Sequence, residues 1–135
     1  RDADAASAVA RLRERLSVLG DAPLIDPAGL ARALAALGEA EEALGWMADW
    51  IEAEHVARSG DALVLQRVDL PREVLRRLLL RMVARMNPNA DPPRGPSVDQ
   101  AIVQLFDRKT VTLADCLVSG GAQWCVRRAP ARRVG

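Results

Sequence analysis

The sequence predicts a mainly α-helical domain, a helical bundle that carries a small C-terminal β-hairpin. Alanine, the strongest helix former, is concentrated early, with 16 of its 24 copies in residues 1–57. Leucines recur every three or four residues through most of the chain, which is the spacing of one helix face. After residue 109 the pattern becomes β-rich and contains two adjacent glycines, which favours a hairpin.

Start signals place the helices of the bundle. A polar side chain can accept hydrogen bonds from the free N–H groups of a first turn, and proline there has no N–H to satisfy. The starts are Asp26-Pro27, Pro71, and the capping box Ser97-Val98-Asp99-Gln100. A long helix follows the first start and ends by Ser59, and Leu63–Leu65 predicts a short strand after it.

The end of the chain is expected to form the hairpin. Val111–Val118 is rich in β-formers, Gly120-Gly121 is a turn signal, and Ala122–Arg127 can return as a second strand. With a two-residue loop Cys116 faces Cys125, and we expect two reduced thiols there. The predicted segments are residues 1–25 (a leading helix over 5–19 and a linker), 26–109 (the helical bundle) and 110–135 (the hairpin and a basic tail packed on the same domain).

Charge is distributed unevenly along the chain. The net charge is +1, but residues 1–66 carry 6 Arg against 12 Asp and Glu, a net −6. Residues 67–135 carry 13 Arg and Lys against 6 acids, a net +7. The basic half is a candidate surface for a polyanion. The alternative is that the two halves fold together and that their charges pair across the domain.

Basic residues supply the candidates for phosphate contacts. On the helix after Pro71, Arg77, Arg81 and Arg85 follow one another at intervals of four and line one flank of its apolar face. The RNA-binding candidates are Arg72, Arg76, Arg77, Arg81, Arg85, Arg94, Arg108, Lys109, Arg127 and Arg128, and the tail adds Arg132 and Arg133. The alternative for the helix is a solvated face, or salt bridges to glutamates of the preceding helix.

The sequence predicts no catalytic, cofactor-binding or metal-binding residue. The lone histidine, His55, and two cysteines without CxxC spacing are too few for a metal site. No GxxxxGK[ST] phosphate loop occurs, and Ser119-Gly120-Gly121 joins two predicted strands rather than a strand and a helix. No apolar run exceeds the five residues Ala33–Leu37, so we expect no membrane span and a cytoplasmic protein.

An apolar patch is the basis of a second functional hypothesis. Trp46 and Trp50 lie on the side of their helix opposite Leu30 and Leu34, and we expect them in the core. Leu80 points away from the apolar face of its own helix. If the tryptophans are exposed and the arginines are paired with glutamates, the domain is instead a helical protein-interaction module with no nucleic-acid role.

Several sequence segments match the pattern of a known protein family in their order and spacing. They are Leu30–Ile51, Leu70–Arg81, Pro93–Val98, Thr112-Leu113-Ala114, Gly120-Gly121-Ala122-Gln123-Trp124 and Arg128-Ala129-Pro130. Together they resemble the C-terminal region of bacterial tRNA(Ile)-lysidine synthetases over roughly residues 26–133. One position departs from the pattern, since the family usually has glycine where this chain has Asp115.

The resemblance implies a tRNA-binding domain separated from its N-terminal ATP-binding domain. The complete enzyme of this family is a ligase that uses ATP and Mg²⁺ to attach lysine to C2 of the wobble cytidine of isoleucine tRNA, whose anticodon is CAU. Its SGGxDS loop for ATP lies in the N-terminal domain and does not occur in this chain. The chain begins at Arg1 without a methionine. We therefore expect a piece of a longer protein, with tRNA and the catalytic domain as partners.

Overall fold

The part of the chain that the structure describes combines helices with a five-stranded antiparallel β-sheet. The structure is a computed structural model that describes residues 10, 11 and 26–130, and the chain divides into two compact units, Arg1–Trp46 and Met47–Gly135. The elements are α1 Pro27–His55, β1 Val56–Ser59, β2 Ala62–Leu65, α2 Arg72–Met86, α3 Gly95–Phe106, β3 Thr110–Leu113, β4 Cys116–Ser119 and β5 Trp124–Arg128. Residues 10 and 11 are helical, and the rest of the predicted leading helix, with Arg132 and Arg133, lies outside the described residues.

The predicted fold class, a mainly α-helical bundle with a small C-terminal β-hairpin, is wrong. The strands follow the order β1-β2-β5-β4-β3 with every neighbouring pair antiparallel, so the fold is α/β. Strand β1 leaves little trace in the sequence, because Val56–Ser59 continues directly from a helix and contains one β-branched residue. Its strand conformation follows from pairing with β2, which in turn pairs with the distant β5.

Helix α1 begins where the sequence predicts. The Asp26 side chain accepts a hydrogen bond from the Ala28 N–H at 3.3 Å, and its carbonyl accepts one from the Leu30 N–H at 2.8 Å. The helix continues to His55 through Gly38 and Gly45, since each costs only about 1 kcal/mol relative to alanine. It ends four residues earlier than the sequence predicts, where β1 begins.

The core of the second unit lies between one face of the sheet and helices α2 and α3. Side chains alternate along the strands, and the buried set on this inner face is Leu63, Leu65, Val111, Leu113, Cys116, Val118, Trp124 and Val126. Opposite them are Val74, Leu75, Leu78, Leu79, Met82 and Val83 of α2, and Val98, Ala101, Ile102 and Leu105 of α3. Helix α2 contacts β2 and β5, whereas α3 contacts β3. Within the described residues, Trp124 is the one aromatic side chain in this core.

The two later helix starts differ in how well local signals predict them. Helix α2 follows Pro71 and has Glu73 in its first turn, as the sequence predicts. Helix α3 begins at Gly95, and its N-cap, Arg94, makes no side-chain capping bond. The predicted capping box at Ser97 is therefore wrong, because the proline at position 96 suits a first turn and lets the helix begin earlier.

The β4–β5 hairpin does not have the predicted two-residue loop. Ser119 pairs with Cys125 and Cys116 pairs with Arg128, so residues 120–123 form the connection. The predicted pairing of Cys116 with Cys125 is wrong. Cys125 pairs with Ser119, which is three residues after Cys116 on β4. Because side chains alternate along a strand, Ser119 and its partner Cys125 lie on the face opposite to that of Cys116. Cys116 is buried on the inner face, and Cys125 is half-buried on the outer face.

The end of α3 explains the longer connection. Gly120 packs so closely that a Cβ at this position would lie 2.2 Å from the carbonyl oxygen of Leu105 and 2.7 Å from its Cα. The Gly121 N–H donates to the same carbonyl at 3.2 Å, and the Gly120 N–H donates to the Lys109 carbonyl at 3.0 Å. The two glycines therefore dock the connection onto α3 rather than making a tight turn.

A tight turn occurs one hairpin earlier. Ala114 and Asp115 connect β3 to β4 with φ of 49° and 58°, the left-handed conformation that favoured two-residue hairpins require. Asn87, which is buried, steadies this turn by donating from Nδ2 to the Ala114 carbonyl at 3.2 Å. Glycine adopts a positive φ most easily, which explains the preference for glycine at the position of Asp115 in the family that the sequence resembles.

Replacing Gly120 with alanine should destabilise the fold strongly. The new methyl group would overlap backbone atoms of Leu105, which cannot rotate away, so we expect the free energy of unfolding to fall by about 3 kcal/mol. Urea denaturation followed by circular dichroism measures the change. Gly38→Ala is the matched control, because no atom lies within 4 Å of a Cβ built there and the change should be neutral or stabilising. Equal stability of Gly120→Ala and the unmodified chain would contradict the close packing.

The two thiols should differ in reactivity. Burial, and secondarily the charge of Asp115, raise the pKa of the Cys116 thiol, whose Sγ lies 3.8 Å from the Val83 carbonyl oxygen. Because the thiolate is the reactive form, a maleimide should modify Cys125 well before Cys116. Mass spectrometry after brief labelling gives the ratio, and Cys125→Ser isolates the slower site. An internal disulfide after mild oxidation would contradict the observed strand register.

Candidate nucleic-acid interface

The first arginines of α2 are held in ion pairs. Arg72 and Arg76 both meet the carboxylate of Asp99 on α3, with an N–O distance of 3.9 Å for Arg72. Nε of Arg76 and Nε of Arg77 lie 3.3 and 3.4 Å from carboxylate oxygens of Glu73, one turn earlier on the same helix. The Asp99 contacts join α2 to α3, whereas the Glu73 pairs lie within α2.

The last arginines of α2 pair with the end of α1. Arg81 contacts Asp49, and its Nη1 lies 3.3 Å from a carboxylate oxygen of Glu52. Nη1 of Arg85 lies 3.2 Å from the other oxygen of Glu52. Glu52 thus bridges two arginines, and because its side chain is only 21% exposed, water screens these pairs less than it would screen a fully exposed pair.

Nearby carboxylates therefore neutralise most of the positive charge of α2. Its five arginines, at positions 72, 76, 77, 81 and 85, meet four carboxylates, at positions 49, 52, 73 and 99. The predicted alternative, salt bridges to glutamates of the preceding helix, is found for Arg81 and Arg85 at Glu52. The remaining pairs involve Asp49, Glu73 and Asp99, which that alternative did not name. Whether these arginines also contact RNA stays a prediction.

The other candidates differ, because they have no such partner. Arg94, Arg108, Lys109, Arg127 and Arg128 are exposed, and no carboxylate of residues 26–130 lies within 4.0 Å of their charged groups. Arg58 on β1 is exposed in the same way. Sequence reasoning missed Arg58, because it assigned the residue to the end of a helix rather than to a sheet. Only the strand pairing could have identified it.

The sheet places four of these free cations at its two ends. Arg127 and Arg128 end β5 beside the β3–β4 turn, since Arg128 pairs with Cys116. Arg108 and Lys109 precede β3, at the opposite end of the same strands. The four-residue length of β4 separates the two pairs by about 10 Å. Positive charge therefore follows the direction of the strands and is not gathered at one point.

The tryptophans of α1 are exposed, so the prediction that they lie in the core is wrong. Trp46 is 69% and Trp50 is 55% exposed, whereas Leu80 on α2 is half-buried. The buried positions of α1 are Ala48 and Ile51, and Trp46 is two residues from Ala48, on the opposite side of the helix. Exposed tryptophans and paired arginines are the two features that the protein-interaction alternative predicts.

The described residues contain no metal cluster and no free phosphate loop. No group of three His, Cys, Asp or Glu side chains placed to hold a metal ion occurs among them. Gly120 and Gly121 already donate their N–H groups to carbonyl oxygens, so neither glycine amide is available to bind a phosphate. None of the described helices is long and apolar enough to cross a membrane.

Two curated proteins are similar to most of the chain, although no protein-family profile matches it. The tRNA(Ile)-lysidine synthase of Zymomonas mobilis is 34% identical over 116 residues, which is 86% of this chain and 35% of that protein. The chain belongs to the tRNA(Ile)-lysidine synthase family. The tRNA(Ile)-lysidine synthase of Ruegeria pomeroyi is 35% identical over 115 residues, which is 82% of this chain and 27% of that protein.

Membership of the tRNA(Ile)-lysidine synthase family confirms the resemblance that the sequence motifs indicate. The chain spans about a third of one relative and about a quarter of the other, so it corresponds to part of such a protein. It is thus a domain related to tRNA modification. The protein-interaction alternative gains no support from these relatives.

Neutralising Glu52 should weaken the contact between the end of α1 and α2 in this tRNA(Ile)-lysidine synthase domain. Glu52→Gln leaves Arg81 and Arg85 without their shared carboxylate, so we expect the free energy of unfolding to fall by about 1 kcal/mol at low salt. Because salt screens the pairs, the loss should shrink at high ionic strength. Urea denaturation at two salt concentrations measures both effects. Glu54→Gln, on the exposed side of α1, is the control, and equal losses from both variants would contradict the bridge.

Proposed function

We propose that this chain is the tRNA-recognition domain of a tRNA(Ile)-lysidine synthase. The observation that carries the proposal is the similarity to two such enzymes over more than four-fifths of the chain. The exposed cations at both ends of the sheet support it, because phosphate contacts require positive donors held on a fixed surface.

In this proposal the parent protein is an ATP-dependent ligase. It attaches lysine to C2 of the wobble cytidine of an isoleucine tRNA with a CAU anticodon. Catalysis, with ATP and Mg²⁺, belongs to an N-terminal domain that is the partner of the present one. The proposal assigns recognition of the tRNA to the present chain. It places no catalytic residue in this chain.

The two sets of cations differ in what a phosphate contact requires. At α2, a phosphate competes with carboxylates that already contact all five arginines. At Arg94, Arg108, Lys109, Arg127 and Arg128, no carboxylate of the described residues has to be displaced. We therefore infer that the free set contributes most of the electrostatic affinity and that the α2 arginines contribute less.

Binding of isoleucine tRNA to the 135-residue chain should weaken steeply as salt rises. Each phosphate contacted contributes a slope of about −0.7 to −0.9 in a plot of log affinity against log salt, because bound counterions are released. Replacing Lys109, Arg127 and Arg128 together with glutamine should lower the affinity about tenfold or more and make the slope shallower by about 2. Fluorescence anisotropy titrations at several salt concentrations measure both quantities.

The matched variant removes the same formal charge from paired arginines. Replacing Arg77, Arg81 and Arg85 with glutamine should change the affinity and the slope less than the first triple replacement does. Circular dichroism establishes that both variants are folded. An affinity independent of salt, or full affinity after both triple replacements, would contradict the proposed function.

A further inference from the structure

One exposed aromatic ring lies among the free cations. Phe106, the last residue of α3, is 54% exposed although Ile102, one turn earlier on nearly the same side of the helix, is buried. Trp124 on β5 contacts it edge-to-face, with ring centroids 5.4 Å apart and ring planes at 72°. Because Trp124 is fully buried, the accessible surface of this aromatic pair belongs to Phe106. The Phe106 ring thus packs against the sheet through Trp124 while more than half of its residue surface stays exposed.

The segment that follows Phe106 is held in place by backbone contacts. Arg108 has a φ of 62°, a left-handed conformation that glycine usually provides at the end of a helix. The Lys109 N–H donates to the Gln104 carbonyl at 3.0 Å, and the Lys109 carbonyl accepts from the β4–β5 connection. A segment fixed before binding loses little conformational entropy when a ligand arrives.

Two positive charges accompany the ring. Arg108 and Lys109 follow Phe106 by two and three residues, and both are exposed without a carboxylate of the described residues within 4.0 Å. Single-stranded nucleic acids are bound by this combination, because a base stacks on an aromatic side chain while cations contact the flanking phosphates. The single charge of opposite sign in the segment is Asp107, which is exposed.

We propose that Phe106, Arg108 and Lys109 form a site for one unpaired nucleotide of RNA, with its base stacked on the Phe106 ring. The proposal rests on the proposed tRNA-recognition function and names the RNA feature that this end of the domain contacts. Bases inside a duplex already stack on both neighbours and cannot use the ring, so the ligand is a single-stranded end, loop or bulge.

Charge favours RNA over a protein as the occupant of this surface. Arg127 and Arg128 lie about 10 Å from Arg108 and Lys109 along the strands, so an RNA strand bound at this end can meet further free cations. Val103, one turn earlier on α3, is 56% exposed and aliphatic. It has the same exposure as Phe106 without a ring that can stack, which makes it the matched control position.

The test compares two RNAs of equal length, a single-stranded oligonucleotide and a blunt duplex, by fluorescence anisotropy with the 135-residue chain. Phe106→Ala should lower the affinity for the single strand about tenfold and leave the affinity for the duplex within about twofold. Val103→Ala and Phe106→Tyr, which keeps an aromatic ring, should bind both RNAs like the unmodified chain. If Phe106→Ala does not fold, the comparison of Phe106→Leu with Phe106→Tyr provides the same test.

Salt dependence separates stacking from charge. Phe106→Ala should leave the slope of log affinity against log salt unchanged, because no charge is removed. Lys109→Gln should make the slope for the single strand shallower by about 0.7. Asp107→Asn should tighten binding, because its carboxylate repels phosphates that lie beside Arg108.

The outcomes distinguish this site from the wider function. Suppose that the unmodified chain binds tRNA, but that Phe106→Ala lowers the affinity for both RNAs equally or for neither. The stacking site is then overturned, and tRNA recognition stands. Full affinity of Phe106→Leu for the single strand also overturns the stacking site, since leucine has no ring on which a base can stack. An apolar contact that leucine can replace suits a protein partner. If the unmodified chain binds neither tRNA nor the oligonucleotide, both proposals fail together.

Discussion

The backbone contact between Gly120 and Leu105 determines much of the remaining geometry. It joins the β4–β5 connection to the end of α3, and it requires a residue without a Cβ. That attachment lengthens the connection, so the strands pair in a register that directs Cys116 inward and Cys125 outward. The same junction holds the start of β3 through the Lys109 carbonyl. Strand register, the burial of one cysteine and the placement of the free cations thus depend on one close approach of two backbones.

Sequence reasoning succeeds where the cause of the structure is local. The starts of α1 and α2 follow from Asp26 and Pro71, because capping groups and proline act within about one turn. The fold class fails for the opposite reason. Strand β1 has no local signal of its own, and it exists because β2 pairs with β5 far along the chain. The capping box at Ser97 fails because two competing start signals stand within a few residues of each other, and the proline decides.

The candidate interface shows the same division. Composition predicts a basic second half, and helical spacing predicts a stripe of arginines along α2. Neither can decide which carboxylates those arginines meet, because Asp49 and Glu52 lie about 30 positions upstream, in the acidic half of the chain. Folding brings them together, and the stripe loses most of its net charge. Arg108, Lys109, Arg127 and Arg128, which have no carboxylate of the described residues within 4.0 Å, stand at the ends of the sheet.

The strand order also governs how this chain reaches its native state. The β1–β2 and β3–β4–β5 units join neighbours in sequence, so each can form quickly. Strand β2 joins β5 through pairs such as Ala62 with Arg127, which are 65 positions apart. Closing so long a loop lowers the entropy of the chain before any contact between the two strands forms, and this slows folding. Until then both strands present unpaired edges that another copy of the chain can join. The meeting of β2 and β5 is therefore the step that covers these two edges, and it leaves β1 and β3 as the edge strands of the described sheet.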